Sequence, residues 1–144
     1  HEIFDTRLIK LNLESSGKDA AFFELIDTIA DVYPDIDREK MDNVIQEREK
    51  KLNTFVASGT AIPHGYYPGL DRTVGAIGIS KTGIDYDAAE PVYVIFMIIM
   101  GNSSQENHLS VLSRILSLIE SGALDRMAAA QSVREVHDLL SRFN

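Results

Sequence analysis

The sequence predicts an α/β fold: a single domain over residues 1–144, with a mixed four- or five-stranded sheet flanked by helices on both faces. Three observations carry that prediction. Strand-patterned segments alternate along the chain with segments whose apolar residues recur at helical spacing. One segment, Val92 to Met100, is apolar at all nine positions, as expected of a central strand covered on both faces. No internal repeat, low-complexity tract or long linker divides the 144 residues, which is about one domain's worth.

Taken in order, Arg7 to Leu13 alternates apolar and polar residues and reads as a half-exposed strand. Ser16 with Asp19 reads as a capping box. The helix it opens carries Phe22, Leu25, Ile26, Ile29 and Tyr33 on one face, and Pro34 stops it. A second helix starts after Asp37, with Met41, Val44, Ile45 and Leu52 as its apolar stripe and Arg48 on that same stripe. Phe55 to Gly65 mixes strand residues with Gly and Pro, and Val74 to Ser80 reads as the strand before the central one. Beyond Met100, Ser103 and Glu106 read as a second capping box, for a helix with the stripe Leu109, Leu112, Ile115, Leu116 and Ile119 that Gly122 ends. A short helix over Leu124 to Ala130 follows. The last helix is capped by Ser132 with Glu135 and carries Val133, Val136, Leu140 and Phe143.

Composition excludes several classes of function. With 44% apolar and 25% charged residues the chain is ordinary globular material. Lys+Arg at 14 against Asp+Glu at 22 gives a net charge of -8, the wrong sign for holding nucleic acid through its phosphates. Partners with a basic face fit better. The absence of cysteine rules out disulfide scaffolds, thiolate zinc sites, iron–sulfur clusters and cysteine nucleophiles, and makes the cytoplasm the expected compartment. The longest apolar run falls well short of the roughly 18 residues of a membrane-spanning helix, and no signal-peptide pattern opens the chain, so no membrane insertion is expected.

The chain lacks a phosphate-binding Gly-rich loop, a dinucleotide fingerprint, a His-Glu-x-x-His pair and a Gly-x-Ser-x-Gly elbow. Ser15 to Lys18 matches Ser-x-x-Lys, but ahead of a helix it reads as a cap. Of the four histidines, His1 and His137 read as surface residues. His64 lies between Pro63, which fixes a backbone angle, and Gly65, which frees one. It reads either as a histidine in a tight turn or as an imidazole held in one orientation. His108 falls in the first turns of a capped helix, where unpaired N–H groups favour an anion, or it packs one edge on the core. Arg48, on an apolar stripe, either snorkels to solvent or faces an anion.

Two histidines and an arginine, without thiols, suit reversible phosphoryl transfer through a histidine. Neutral imidazole is a good nucleophile near pH 7, and the moving group asks mainly for alignment and positive charge. A metal site drawn from His64, His108 and Asp71 or Glu106 matches no metal-ligand spacing, and no cofactor is implied.

The run Gly59-Thr60-Ala61-Ile62-Pro63-His64-Gly65, preceded by Arg48-Glu49 and followed by His108-Leu109 with Leu112, resembles the enzyme IIA domains of the fructose/mannitol/nitrogen-regulatory class of the bacterial phosphotransferase system. The resemblance spans nearly the whole chain. It implies that His64 is the phosphorylated histidine, accepting a phosphoryl group on Nε2 from the phosphocarrier HPr or its nitrogen-system counterpart and passing it to an enzyme IIB domain. It further implies that His108 helps hold that group and that Arg48 lies beside it. Thr60 and Ala89-Glu90-Pro91-Val92 depart from the commoner family pattern, away from the proposed chemistry.

A regulatory enzyme IIA, whose phosphorylation state controls a target protein, is the second expectation. A degenerate binding module is the third, against which His64, His108 and Arg48 stand together. A carrier is expected to dock around Pro63, Gly65 and the start of the His108 helix, with Glu106 and Asp71 the nearest acids.

Overall fold

Asp5 accepts a hydrogen bond from the Arg7 N–H at 2.8 Å and so caps a 3-10 turn over Thr6–Leu8. That turn takes up the first residues of the predicted Arg7–Leu13 strand. The strand proper, β1 (Ile9–Lys10), has two residues, although Leu13 N–H still reaches Ile79 O at 2.8 Å. The remaining elements are α1 (Lys18–Val32), α2 (Arg38–Lys51), β2 (Phe55–Ala57), β3 (Thr60–Ala61), β4 (His64–Tyr66), β5 (Val74–Ile84), β6 (Val92–Met100), α3 (His108–Glu120), α4 (Leu124–Ala128) and α5 (Val133–Ser141). The computed structural model describes residues 3–102 and 108–141, the His108 side chain apart. The capping pair Ser103 and Glu106, and Phe143, lie outside the described residues. Among the described residues no helix is long and apolar enough to cross a membrane.

The architecture is the predicted mixed α/β single domain. The sheet runs β1-β5-β6-β3-β2, with β4 also paired to β6. Its six strands exceed the expected four or five because Phe55 to Gly65 divides into three short strands. β3 and β4 both run parallel to β6 in one continuous register, Ala61 opposite Ile95 and His64 opposite Ile98. β5 lies antiparallel along the other edge of β6. The central strand has a core on each face: Ile95, Met97 and Ile99 pack with α1 and α2, while Phe96, Ile98 and Met100 pack with α3, α4 and α5. None of these six is more than 3% exposed, which is why the run is apolar instead of alternating.

Several local readings need correction. Ser16 and Asp19 form no capping box: Gly17 is the N-cap of α1, without a side-chain bond. The adjoining backbone is held instead by Glu24, which accepts from the Ser15 N–H at 2.7 Å and from the Ser15 hydroxyl. In α2, Leu52 is 70% exposed, and the buried line is Met41, Ile45 and Glu49. In α3, Ile115 is buried as expected with Leu112 and Ile119 packed beside it, but Leu109 and Leu116 are 80% and 40% exposed, and Val111 and Leu118 complete the covered face instead. The Ser132 hydroxyl does cap α5, accepting from Glu135 N–H at 3.2 Å.

Candidate functional site

The site begins with an interruption in the strand beside β6. Between β3 and β4 the Ile62 N–H turns to Thr54 O at 3.0 Å, and Pro63, which has no N–H, contributes only its carbonyl to Ile98 N–H at 2.9 Å. The Ile62 carbonyl meets Nδ1 of His64 at 2.7 Å. A carbonyl can only accept, so Nδ1 carries a proton, and the neutral tautomer that keeps this bond has its lone pair on Nε2. The imidazole is half-buried and pinned by its own backbone two residues upstream.

The second half of the site is α2. A Cβ at Gly65 would lie 2.7 Å from the Val44 carbonyl oxygen, so the helix backbone passes directly over β4 at the residue after the histidine. Gly65 is therefore required for close approach; it is not among the residues with positive φ, so the expected backbone freedom is not its role. Arg48 follows Val44 by one helical turn and comes to the same cleft as His64. That cleft, about 390 Å³, is lined by His64, Gly65, Arg48, Lys51, Glu47 and Met100, among others. Arg48 donates from Nη1 to Leu52 O at 2.7 Å, which satisfies a carbonyl at the C-terminal end of α2.

The structure thus brings two of the three predicted residues together. His108 opens α3, but its side chain lies outside the described residues, as does Glu106. Asp71 is exposed, pairs with Arg72 at 3.1 Å and is not among the residues lining the cleft, whose carboxylate among the described residues is Glu47. Pro63 and Gly65 are buried, so among the described residues lining the cleft the exposed apolar surface beside His64 is that of Tyr66, 43% exposed. His137 is half-buried on α5 rather than exposed. Among the described residues no three His, Asp or Glu side chains gather as metal ligands.

Lys51 and Glu47 escaped the sequence reading, though a signal was present: Val44, Glu47, Arg48 and Lys51 stand at i, i+3, i+4 and i+7, one helix face. Glu49, named beside Arg48 in the resemblance, was given no role of its own. Its carboxylate, 9% exposed at the residue, accepts from Lys18 Nζ at 2.9 Å, Tyr86 OH at 3.1 Å, Thr54 N–H at 3.3 Å and the Thr54 hydroxyl. Burial, together with the Glu49 charge, pushes the Tyr86 hydroxyl well above the ordinary tyrosine range. Lys18 is thereby accounted for, and the Ser15-x-x-Lys18 match is structural: each residue is engaged with a separate glutamate.

Residues 2–143 match the family model described as phosphoenolpyruvate-dependent sugar phosphotransferase system, EIIA 2. The chain is 31% identical over 120 residues to the fructose-specific EIIABC component of Bacillus subtilis, a match covering 82% of this chain and 19% of that one. It therefore spans about a fifth of that relative's length. It is 31% identical over 137 residues to the fructose-specific EIIA component of Haloferax volcanii, covering 93% of this chain and 89% of that one. Among solved structures, the nitrogen regulatory protein IIA-Ntr of Neisseria meningitidis superposes with a TM-score of 0.85 at 25% identity, covering 96% of each chain.

Proposed function

The chain belongs to the enzyme IIA family of the phosphoenolpyruvate-dependent sugar phosphotransferase system, and on that premise we propose that His64 accepts a phosphoryl group on Nε2 from an HPr-like phosphocarrier and passes it to an enzyme IIB domain in sugar uptake. The observation that carries this reading is the 2.7 Å contact between His64 Nδ1 and the Ile62 carbonyl, which leaves the nucleophilic Nε2 as the reacting nitrogen in a cleft shared with Arg48.

In the transfer, the Nε2 lone pair forms the new P–N bond while the donor's P–N bond breaks, and the donor imidazole leaves with that electron pair. The proton on Nδ1 stays in its bond to Ile62 O, and the carbonyl meets the positive charge that develops on the ring. Arg48 supplies a planar fork of donors for the equatorial oxygens. His108, at the start of α3, is the second histidine proposed to hold the group. Both carriers would meet the protein in the cytoplasm. The name of the Bacillus subtilis relative, an EIIABC component, supports enzyme IIB as the acceptor.

Incubation with phosphoenolpyruvate, enzyme I and HPr, followed by intact mass measurement, tests the reading. One phosphate on the wild type and none on His64→Ala is expected; label retained by the alanine variant would sink it. The second reading, a regulatory protein whose phosphorylation state controls a target, is favoured by the 0.85 superposition on a nitrogen regulatory protein. Adding enzyme IIB domains to the phosphorylated protein separates the two, since only a transport component discharges to them.

A further inference from the structure

The buried line of α2 runs Met41, Ile45, Glu49, and the third position, where packing alone calls for a hydrophobe, holds a carboxylate. Three separate segments converge on it: α1 through Lys18 at 2.9 Å, the α2–β2 connection through Thr54, and the β5–β6 connection through Tyr86 at 3.1 Å. Tyr86 is 1% exposed and stacks edge-on against Phe22, while the Lys18 ammonium lies 4.6 Å from the Tyr86 ring centre. Asn53 ties the same connection down, donating to Tyr86 O at 2.9 Å. A buried ion pair of this kind adds little net stability over a well-packed apolar replacement, so stability does not explain the charge. Its directional bonds do fix the rotation of the last helical turn, and Arg48 is the adjacent residue, about 100° further back around the helix.

We infer that Glu49 is a positioning residue for phosphoryl transfer: its bonds to Lys18, Thr54 and Tyr86 lock the last turn of α2 so that Arg48 is presented to the His64 cleft. The inference rests on the proposed histidine chemistry. It makes no contact with the reacting atoms part of Glu49's role.

The test compares wild type, Glu49→Gln, and Glu49→Met combined with Lys18→Met. In the double replacement no buried charge is orphaned, and the Thr54 and Tyr86 hydroxyls retain each other at 2.6 Å. It should fold with a Tm close to that of the wild type. Its maximal single-turnover rate at saturating phospho-HPr should nevertheless fall about 10²-fold, the cost of misplacing a catalytic group by about 1 Å. The half-saturating carrier concentration should hold. The Arg48 Nε–H resonance should be shifted from that of a free arginine in the wild type and should average toward it in the double variant. Glu49→Gln, which keeps an acceptor but not the ion pair, should lose about 10-fold, half of that loss on the free-energy scale. Wild-type rates in either folded variant overturn the inference, as does a slowed variant with an unmoved Arg48 resonance. So does failure of both to fold, since Glu49 would then be a stability element. Absence of phosphate on wild-type His64 overturns the functional reading instead.

Discussion

Replacing Gly65 with alanine puts the account of the site under direct strain. The added Cβ would meet Val44 O at 2.7 Å, Val44 C at 2.8 Å and Val44 Cβ at 3.1 Å. Two of those are helix backbone atoms, which cannot rotate away. An ordinary contact begins near 3.4 Å, so α2 must retreat from β4 by about 0.7 Å, the difference between 3.4 and 2.7 Å. Overpacking of this kind costs about 1–3 kcal/mol, which for a domain of this size lowers Tm by about 3–10 °C. The retreat carries Arg48 with it, so the phosphoryl-transfer step should slow by about 10- to 100-fold. Thermal melts followed by circular dichroism, paired with single-turnover transfer from phospho-HPr, measure both effects in one preparation. Wild-type Tm and wild-type transfer together would refute the close approach of α2 as the feature that assembles the site.

Further outcomes follow from the same geometry. Arg48→Lys should leave the site of phosphorylation unchanged yet slow transfer about 10²-fold, because a point charge replaces a planar fork; quench-flow rates and peptide mapping check both halves. Glu47→Gln, which removes a carboxylate from the cleft, should lower the second-order rate with a basic carrier while sparing the first-order step, and stopped-flow traces at several carrier concentrations separate them. Association with a basic carrier should weaken as salt rises, given a net charge of -8, and a rate indifferent to ionic strength speaks against steering. Burial, aided by the Glu49 charge, raises the Tyr86 hydroxyl above its unfolded range, so its contribution to stability is present below about pH 10 and is lost progressively as pH rises past it. An ultraviolet titration should therefore show one tyrosine ionising only as the protein unfolds.

Much of the fold was legible because periodicity reports burial. The all-apolar Val92–Met100 run gave the central strand with its limits, and Phe22, Leu25, Ile26 and Ile29 gave the buried face of α1. Legibility failed where tertiary contacts choose among equivalent patterns. Leu109 and Leu116 are as apolar as Val111 and Leu118, and only the position of the sheet decides which of them are covered. The Ser16 and Asp19 pattern lost to Glu24, a partner from further along the helix that no local motif encodes. In the candidate site, residue type and setting singled out His64 and Arg48 while leaving each a structural alternative, and the family resemblance supplied their expected roles. The reason they meet was not legible: it lies in the missing side chain of Gly65, and in a proline that interrupts the strand and leaves the Ile62 carbonyl for the imidazole.

The central claim is that His64 reacts through Nε2 while Nδ1 keeps its proton on the Ile62 carbonyl. Long-range nitrogen–proton correlation spectra of the ¹⁵N-labelled protein, recorded before and after phosphorylation by enzyme I and HPr, read both ring nitrogens of each histidine. The account predicts a protonated Nδ1 in both states and a phosphorus-coupled Nε2 on His64 alone after transfer. Phosphorus coupling to Nδ1 of His64, or to a nitrogen of His108 or His137, would contradict it.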